Sequence, residues 1–144
     1  MKFKKKESLP ILFIIISLVI TIYVQKLGDN IVLHWDFVGN IKSLGPSETL
    51  FLLPMVMCLV YCILLYYEEH PEKINSTKRP PVGIEPNHAW RKYCYLFRAT
   101  TMLLLLYITV CSARFLILHI TLVYALLLIL IYLLFTALHI LHKK

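Results

Sequence analysis

His34, Trp35, Asp36 and Gly39 are the residues whose types and spacing could do chemistry in this 144-residue chain. An imidazole and a carboxylate two positions apart on an extended strand lie on the same side of it. His34 and Asp36 could therefore bond each other, hold a cation, or grip a ligand presented from outside. Equally, the two could bond nearby backbone and only fix the shape of their loop; a lone His-x-Asp says little about a metal. Cys58 and Cys62 stand one helical turn apart and Cys94 and Cys111 follow, but no histidine converges on them, so they read as buried apolar thiols. No metal and no cofactor is expected. Paired carboxylates in an apolar setting are absent, as is a serine or cysteine with an evident base, so the chain reads as a non-enzyme.

The elements that must carry these residues are set by composition. Hydrophobic residues make up 59% of the chain, against roughly 45–50% in a soluble domain. The excess is blocked into four runs, Leu9 to Val24, Leu50 to Tyr67, Ala99 to Ala113 and Phe115 to Ile140, none of which contains Asp, Glu, Lys or Arg. A spanning helix needs about 17–25 apolar residues, and the third run reaches that length if Tyr93, Tyr95, Leu96 and Phe97 extend it through the headgroup region. Period-two alternation is missing, which argues against a barrel. The expected fold class is therefore all-α integral membrane, with four transmembrane helices in a single membrane domain, 1–144. Within it, 8–67 form a helix-loop-helix module, 68–98 a loop with an interfacial helix, and 99–140 a helical hairpin. The first run follows Lys2, Lys4, Lys5 and Lys6 and so has the outline of a signal peptide, but Tyr23-Val24-Gln25-Lys26 offers no small-x-small cleavage site, and a retained helix is expected. Pro54 should kink the second helix near its start.

Basic residues set the orientation. Twelve of the fifteen Lys and Arg side chains precede the first run, lie between the second and third, or close the chain; Lys26, Lys42 and Arg114 fall in the other two loops. Positive residues stay inside, so both ends and the middle loop are expected in the cytoplasm, with the first loop and the turn at Arg114 outside it. The net charge of +7 is then a topology signal, and no nucleic acid is expected as a partner. The glycosylation pattern Asn75-Ser76-Thr77 falls on the cytoplasmic side and is discounted.

In the outer loop, Gly28-Asp29-Asn30 is a turn signal, and Ile31, Leu33 and Trp35 alternate with Val32, His34 and Asp36 in a short extended piece. Gly39-Asn40 and Gly45-Pro46 mark further turns, and Ser47 is placed to cap the second helix with Glu48 in its first turn. In the middle loop, Glu85-Pro86 reads as a helix start. Trp90, Tyr93 and Phe97 then share one face, an amphipathic segment expected to lie at the membrane interface.

The outer loop also carries a resemblance. Asp29-Asn30-Ile31-Val32-Leu33-His34-Trp35-Asp36-Phe37-Val38-Gly39-Asn40, followed by Leu50-Phe51-Leu52-Leu53-Pro54, resembles the bacterial membrane family called domain of unknown function 1648, and Pro81-Val82-Gly83-Ile84 with Ala89, Arg91, Tyr93 and Arg98 is similar to small stand-alone members. The family's pattern is a helix, a His-aromatic-Asn/Asp-x-x-Gly loop and a helix opening on a Leu-Leu-Pro-like stretch. Two positions depart from it: Lys42 stands where Asp is frequent, and Pro46-Ser47 where a Ser-Lys pair often follows a glycine. The same module opens larger SdpI-type immunity proteins, which protect bacteria against a toxin. What the resemblance implies is a multi-pass protein of the cytoplasmic membrane with a binding, immunity or signalling role.

The expected partners are the lipid bilayer, an extracytoplasmic or membrane peptide or protein, and a second copy of the chain. His34, Trp35, Asp36 and Gly39 are the expected ligand-binding or loop-structuring residues. The alternative is a transporter or channel subunit. Coupling to an ion gradient usually needs an ionisable group inside the membrane, and His119, near the outer end of the fourth run, is the one singled out.

Overall fold

In a computed structural model the chain is described over residues 8–74 and 88–142. Four helices, α1 (Ser8–Leu27), α2 (Leu52–Glu69), α3 (His88–Ser112) and α4 (Ile120–His142), account for most of it, and each is long and apolar enough to cross a membrane. The protein is thus a multi-pass membrane protein. Between α1 and α2 lie two short strands, β1 (Ile31–Trp35) and β2 (Ile41–Gly45), paired antiparallel. The expectation of an all-α chain is corrected here: the loop between α1 and α2 is a β-hairpin, followed by a 3-10 turn, Ser47–Phe51.

The helix α3 packs against each of the other three helices and also touches β1. It is the most enclosed span, while large apolar side chains such as Val19, Leu59, Leu128 and Phe135 face outward from the others. Outward apolar residues are what a lipid solvent requires, and it removes the hydrophobic drive between helices; association then rests on close packing and interhelical polar contacts. The α1–α3 seam is built that way. Ser17 and Thr109, both fully buried, approach each other at 3.1 Å between their hydroxyl oxygens. Thr21 and Thr109 also donate to the carbonyls of Ser17 and Leu105, one turn back.

Several sequence expectations are corrected by the helix bounds. The interfacial segment and the third run are one continuous helix of 25 residues, because nothing between Trp90 and Ser112 breaks helical hydrogen bonding. Trp90 is turned inward: it is 4% exposed, and its indole N–H donates to the Glu68 carbonyl at 3.1 Å. The helix start expected at Glu85-Pro86 lies outside the described residues. Pro54 falls in the first turn of α2, where a missing N–H leaves no helical bond unmade, and the irregularity lies before it, at the change from 3-10 to α. Ser47 is a buried residue of the 3-10 turn, whose cap position is Pro46, and no side-chain cap bond is made there. Cys58 and Cys62 are exposed on the outer surface of α2 rather than buried, since the inward face there is taken by Pro54 and Met57; Cys111 is buried and Cys94 half-buried. His119 is not inside a span, because residues 113–119 are non-helical and α4 begins after it.

Its position in the sequence puts Arg98 in the loop 68–98 expected in the cytoplasm. It is a fully buried member of α3, about 15 Å along the helix from His88 at 1.5 Å per residue. One guanidinium nitrogen donates to the Glu68 carboxylate at 2.7 Å, and its carbon stands 5.3 Å from the centre of the Tyr61 ring. The helices therefore do contain buried charge, held as an ion pair joining α2 to α3. Setting Arg98 aside leaves eleven basic residues against three, so the bias in orientation is unaltered.

Candidate functional site

The first contributor to the site is the hairpin. Its strands pair Ile31 with Gly45, Val32 with Leu44, His34 with Ser43 and Trp35 with Ile41, with irregularities on either side of His34. Leu33 is left without an opposite residue, a bulge that rotates the strand. As a result Ile31 and Val32 are both buried and Leu33 and His34 both exposed, where simple alternation would have separated each pair. Ile31 packs with Val24 of α1 and Leu50 of the 3-10 turn, flanked by Ala113 at the end of α3. Burial of a Val, Leu or Ile side chain is worth roughly 1.5–3 kcal/mol, so the strand is docked on the helix ends.

Asp36 is not on the strand, because β1 ends at Trp35. It organises the turn instead. Its carboxylate accepts the backbone N–H groups of Val38 (2.9 Å) and Asn40 (2.8 Å) and the Asn40 side-chain amide (3.0 Å). Its own N–H donates to the Asn40 carbonyl, and its carbonyl accepts the Gly39 N–H. The Asn40 amide, then the Asn40 and Val38 N–H groups, hold the Asp36 carboxyl below its ordinary value. The His34 side chain makes no hydrogen bond or ion pair among the described residues, so the two side chains expected to act together are separate: one closes the turn, the other stands exposed.

Gly39 has φ +97°, and a Cβ there would lie 2.9 Å from the Leu118 carbonyl oxygen. The hairpin tip thus rests directly on the backbone of the segment joining α3 to α4. Tyr107 braces that segment from below, accepting the His119 N–H at 2.8 Å, and Tyr23 of α1 stacks obliquely on Phe115 with ring centres 6.1 Å apart. Between hairpin and segment lies a cleft of about 260 Å³ whose walls include Trp35, Ile41, Cys111, Arg114 and Leu116.

The two helices that end beside this cleft stop differently. Both α1 and α3 close on a left-handed residue, a position usually given to glycine. α1 uses Gly28, φ +69°. α3 uses Arg114, φ +65°, with the Arg114 N–H donating to the Cys111 carbonyl and the Phe115 N–H reaching back to Val110. This is a Schellman cap with an arginine where glycine is usual, at a position that the sequence alone marks only as a topology charge. The visible signal was its place between two apolar runs with no glycine near.

Of the four candidate residues, Trp35 and Gly39 meet at the cleft, Asp36 shapes the turn that presents them, and His34 lies apart. Among the described residues no three His, Cys, Asp or Glu side chains are grouped to hold a metal ion. No curated protein and no solved structure matches the chain. Residues 11–58, which comprise most of α1, the hairpin and the start of α2, match the family described as Domain of unknown function (DUF1648).

Proposed function

We propose that this protein resides in the cytoplasmic membrane with its hairpin outside the cell, and that it works by binding at that end, without catalysis. The observation that supports the reading is the docking of the hairpin on the α3–α4 segment through Gly39, which turns two loops into one walled cleft. Loops seated on a rigid scaffold are where binding residues concentrate. The weighting of basic residues toward the opposite side supports the orientation. An immunity or signalling role, as implied by the resemblance to SdpI-type proteins, is the finer form of the same reading. The buried Arg98 is engaged by Glu68 and Tyr61 and reads as a joint between helices.

The test uses the native host and purified protein in liposomes. Deletion of the gene should sensitise cells to a membrane-active peptide or change expression of an adjacent operon. Gly39→Leu, which forces the hairpin off Leu118, should reproduce the deletion at unchanged protein level. Liposomes should show no proton or sodium flux coupled to solute uptake. Gradient-driven uptake, or full function in the Gly39→Leu protein, would overturn the proposal.

A further inference from the structure

The cleft stands at the ends of the apolar helices. It lies where α3 ends and α4 has not begun, so its floor, Cys111, is the last turn of a membrane span and its rim stands just outside. The rim is apolar: Phe37 is 92% exposed, Ile117 78% and Val38 74%, with Leu116 also open. Exposed aliphatic and aromatic residues in this number would be a liability in water, but they suit the boundary between headgroups and acyl chains, where Trp35 also belongs.

Within that apolar rim sits a cation. Arg114 is exposed, and no carboxylate among the described residues comes within salt-bridge distance of it. Beside it, the backbone N–H groups of Leu116, Ile117 and Leu118 make no hydrogen bond among the described residues. A guanidinium with free amide donors nearby matches the oxygens of a phosphate. The backbone adds a separate observation. An arginine held at φ +65° is strained relative to glycine, and such strain persists where the position of the side chain matters. A cation is also favoured near a helix C-terminus by the macrodipole, but a lysine or arginine anywhere in the last turn would meet that need without a left-handed backbone.

We infer that the cleft between the hairpin and the α3–α4 segment binds the phosphate of an anionic phospholipid, with Arg114 as the charge partner, Trp35 as one wall, and Phe37, Val38, Leu116 and Ile117 seated among the upper acyl chains. This rests on the reading of the hairpin end as the binding face and names the chemistry it recognises. It also gives the strained arginine a purpose that glycine could not serve.

The experiment follows Trp35 emission in full-length protein carrying Trp90→Phe, in detergent, titrated with phosphatidylglycerol, with phosphatidylcholine, or with inorganic phosphate alone. Phosphatidylglycerol should shift the emission saturably, and phosphatidylcholine, whose phosphate charge is offset by its own choline ammonium, should need at least about tenfold more lipid. Arg114→Gly should abolish this preference while leaving the melting temperature equal or higher, because glycine relieves the left-handed residue; that second readout separates lost binding from lost folding. Equal titration by both lipids, or an undiminished preference in Arg114→Gly, would overturn the inference. Saturation by inorganic phosphate alone would overturn the lipid as the source of the anion. If Gly39→Leu mimics the deletion in cells while the lipid preference is absent, the binding face stands and this ligand does not.

Discussion

At the scale of single residues, the motif divides its labour in a way its spelling only half discloses. His34 and Asp36 look like a pair because they are two apart, but the bulge at Leu33 and the end of β1 at Trp35 place them in different structural settings. Asp36 closes a five-residue turn with three bonds to its carboxylate, a use of Asp that turn chemistry anticipates. The bulge left no comparable signal, since Leu33 is an ordinary strand residue. A testable consequence concerns acid. Hydrogen bonds to the ionised Asp36 carboxylate lower its affinity for protons in the folded protein, so the folded state binds fewer protons there than the unfolded state. The stabilisation is present above the ordinary carboxylate value of 3.8 and is lost as pH falls through the lowered one. Trp35 emission in Trp90→Phe protein should hold steady from pH 8 to about 5 and move to longer wavelength only below about 4. Asp36→Asn should remove that acid step. A step that persists in Asp36→Asn would assign it to another group.

At the scale of elements, all four helices were readable from hydropathy, because a bilayer demands long apolar runs and little else. The misreading was one of extent. A charged residue such as Arg98 looks like the end of a span, but a charge with a partner on another helix can be accommodated within one. Glu68, in the last turns of α2, supplies the partner at 2.7 Å, and a partner on another helix cannot be read from local sequence. The buried pair leads to a definite expectation. Removing one member of a buried ion pair strands the other and costs on the order of 3–5 kcal/mol, while replacing both with apolar residues is often near neutral. Glu68→Gln should therefore strongly destabilise the protein to SDS unfolding, and Arg98→Met with Glu68→Leu should recover most of the loss. A double variant no more stable than Glu68→Gln alone would show that the charges are needed for something other than joining α2 to α3.

At the scale of the whole molecule, α3 acts as the axle: it contacts the other three helices, holds the buried Arg98 at one level, and ends in the strained Arg114 at the other. The chain runs up and down so that the hairpin and the α3–α4 segment share one end, and this common end makes a cleft from parts some 80 residues apart in sequence. Such closure is invisible in the sequence, where Gly39 and Leu118 belong to unrelated loops. Which way that end faces is a question of charge. The insertion machinery retains Lys and Arg on the cytoplasmic side, and the hairpin end carries three of the fifteen, Lys26, Lys42 and Arg114, few enough to offer little resistance to export. Single cysteines at Ser43 on the hairpin and at Glu69 at the end of α2, both exposed, in a background lacking the four native cysteines, report on the two faces. An impermeant maleimide applied to intact cells should label Ser43→Cys and leave Glu69→Cys unmodified until the cells are opened. Labelling in the reverse pattern would invert the protein, place the cleft in the cytoplasm and move its ligand to the inner leaflet. Labelling of both positions in intact cells would mean that the chain inserts in two orientations and that the bias in Lys and Arg does not decide between them.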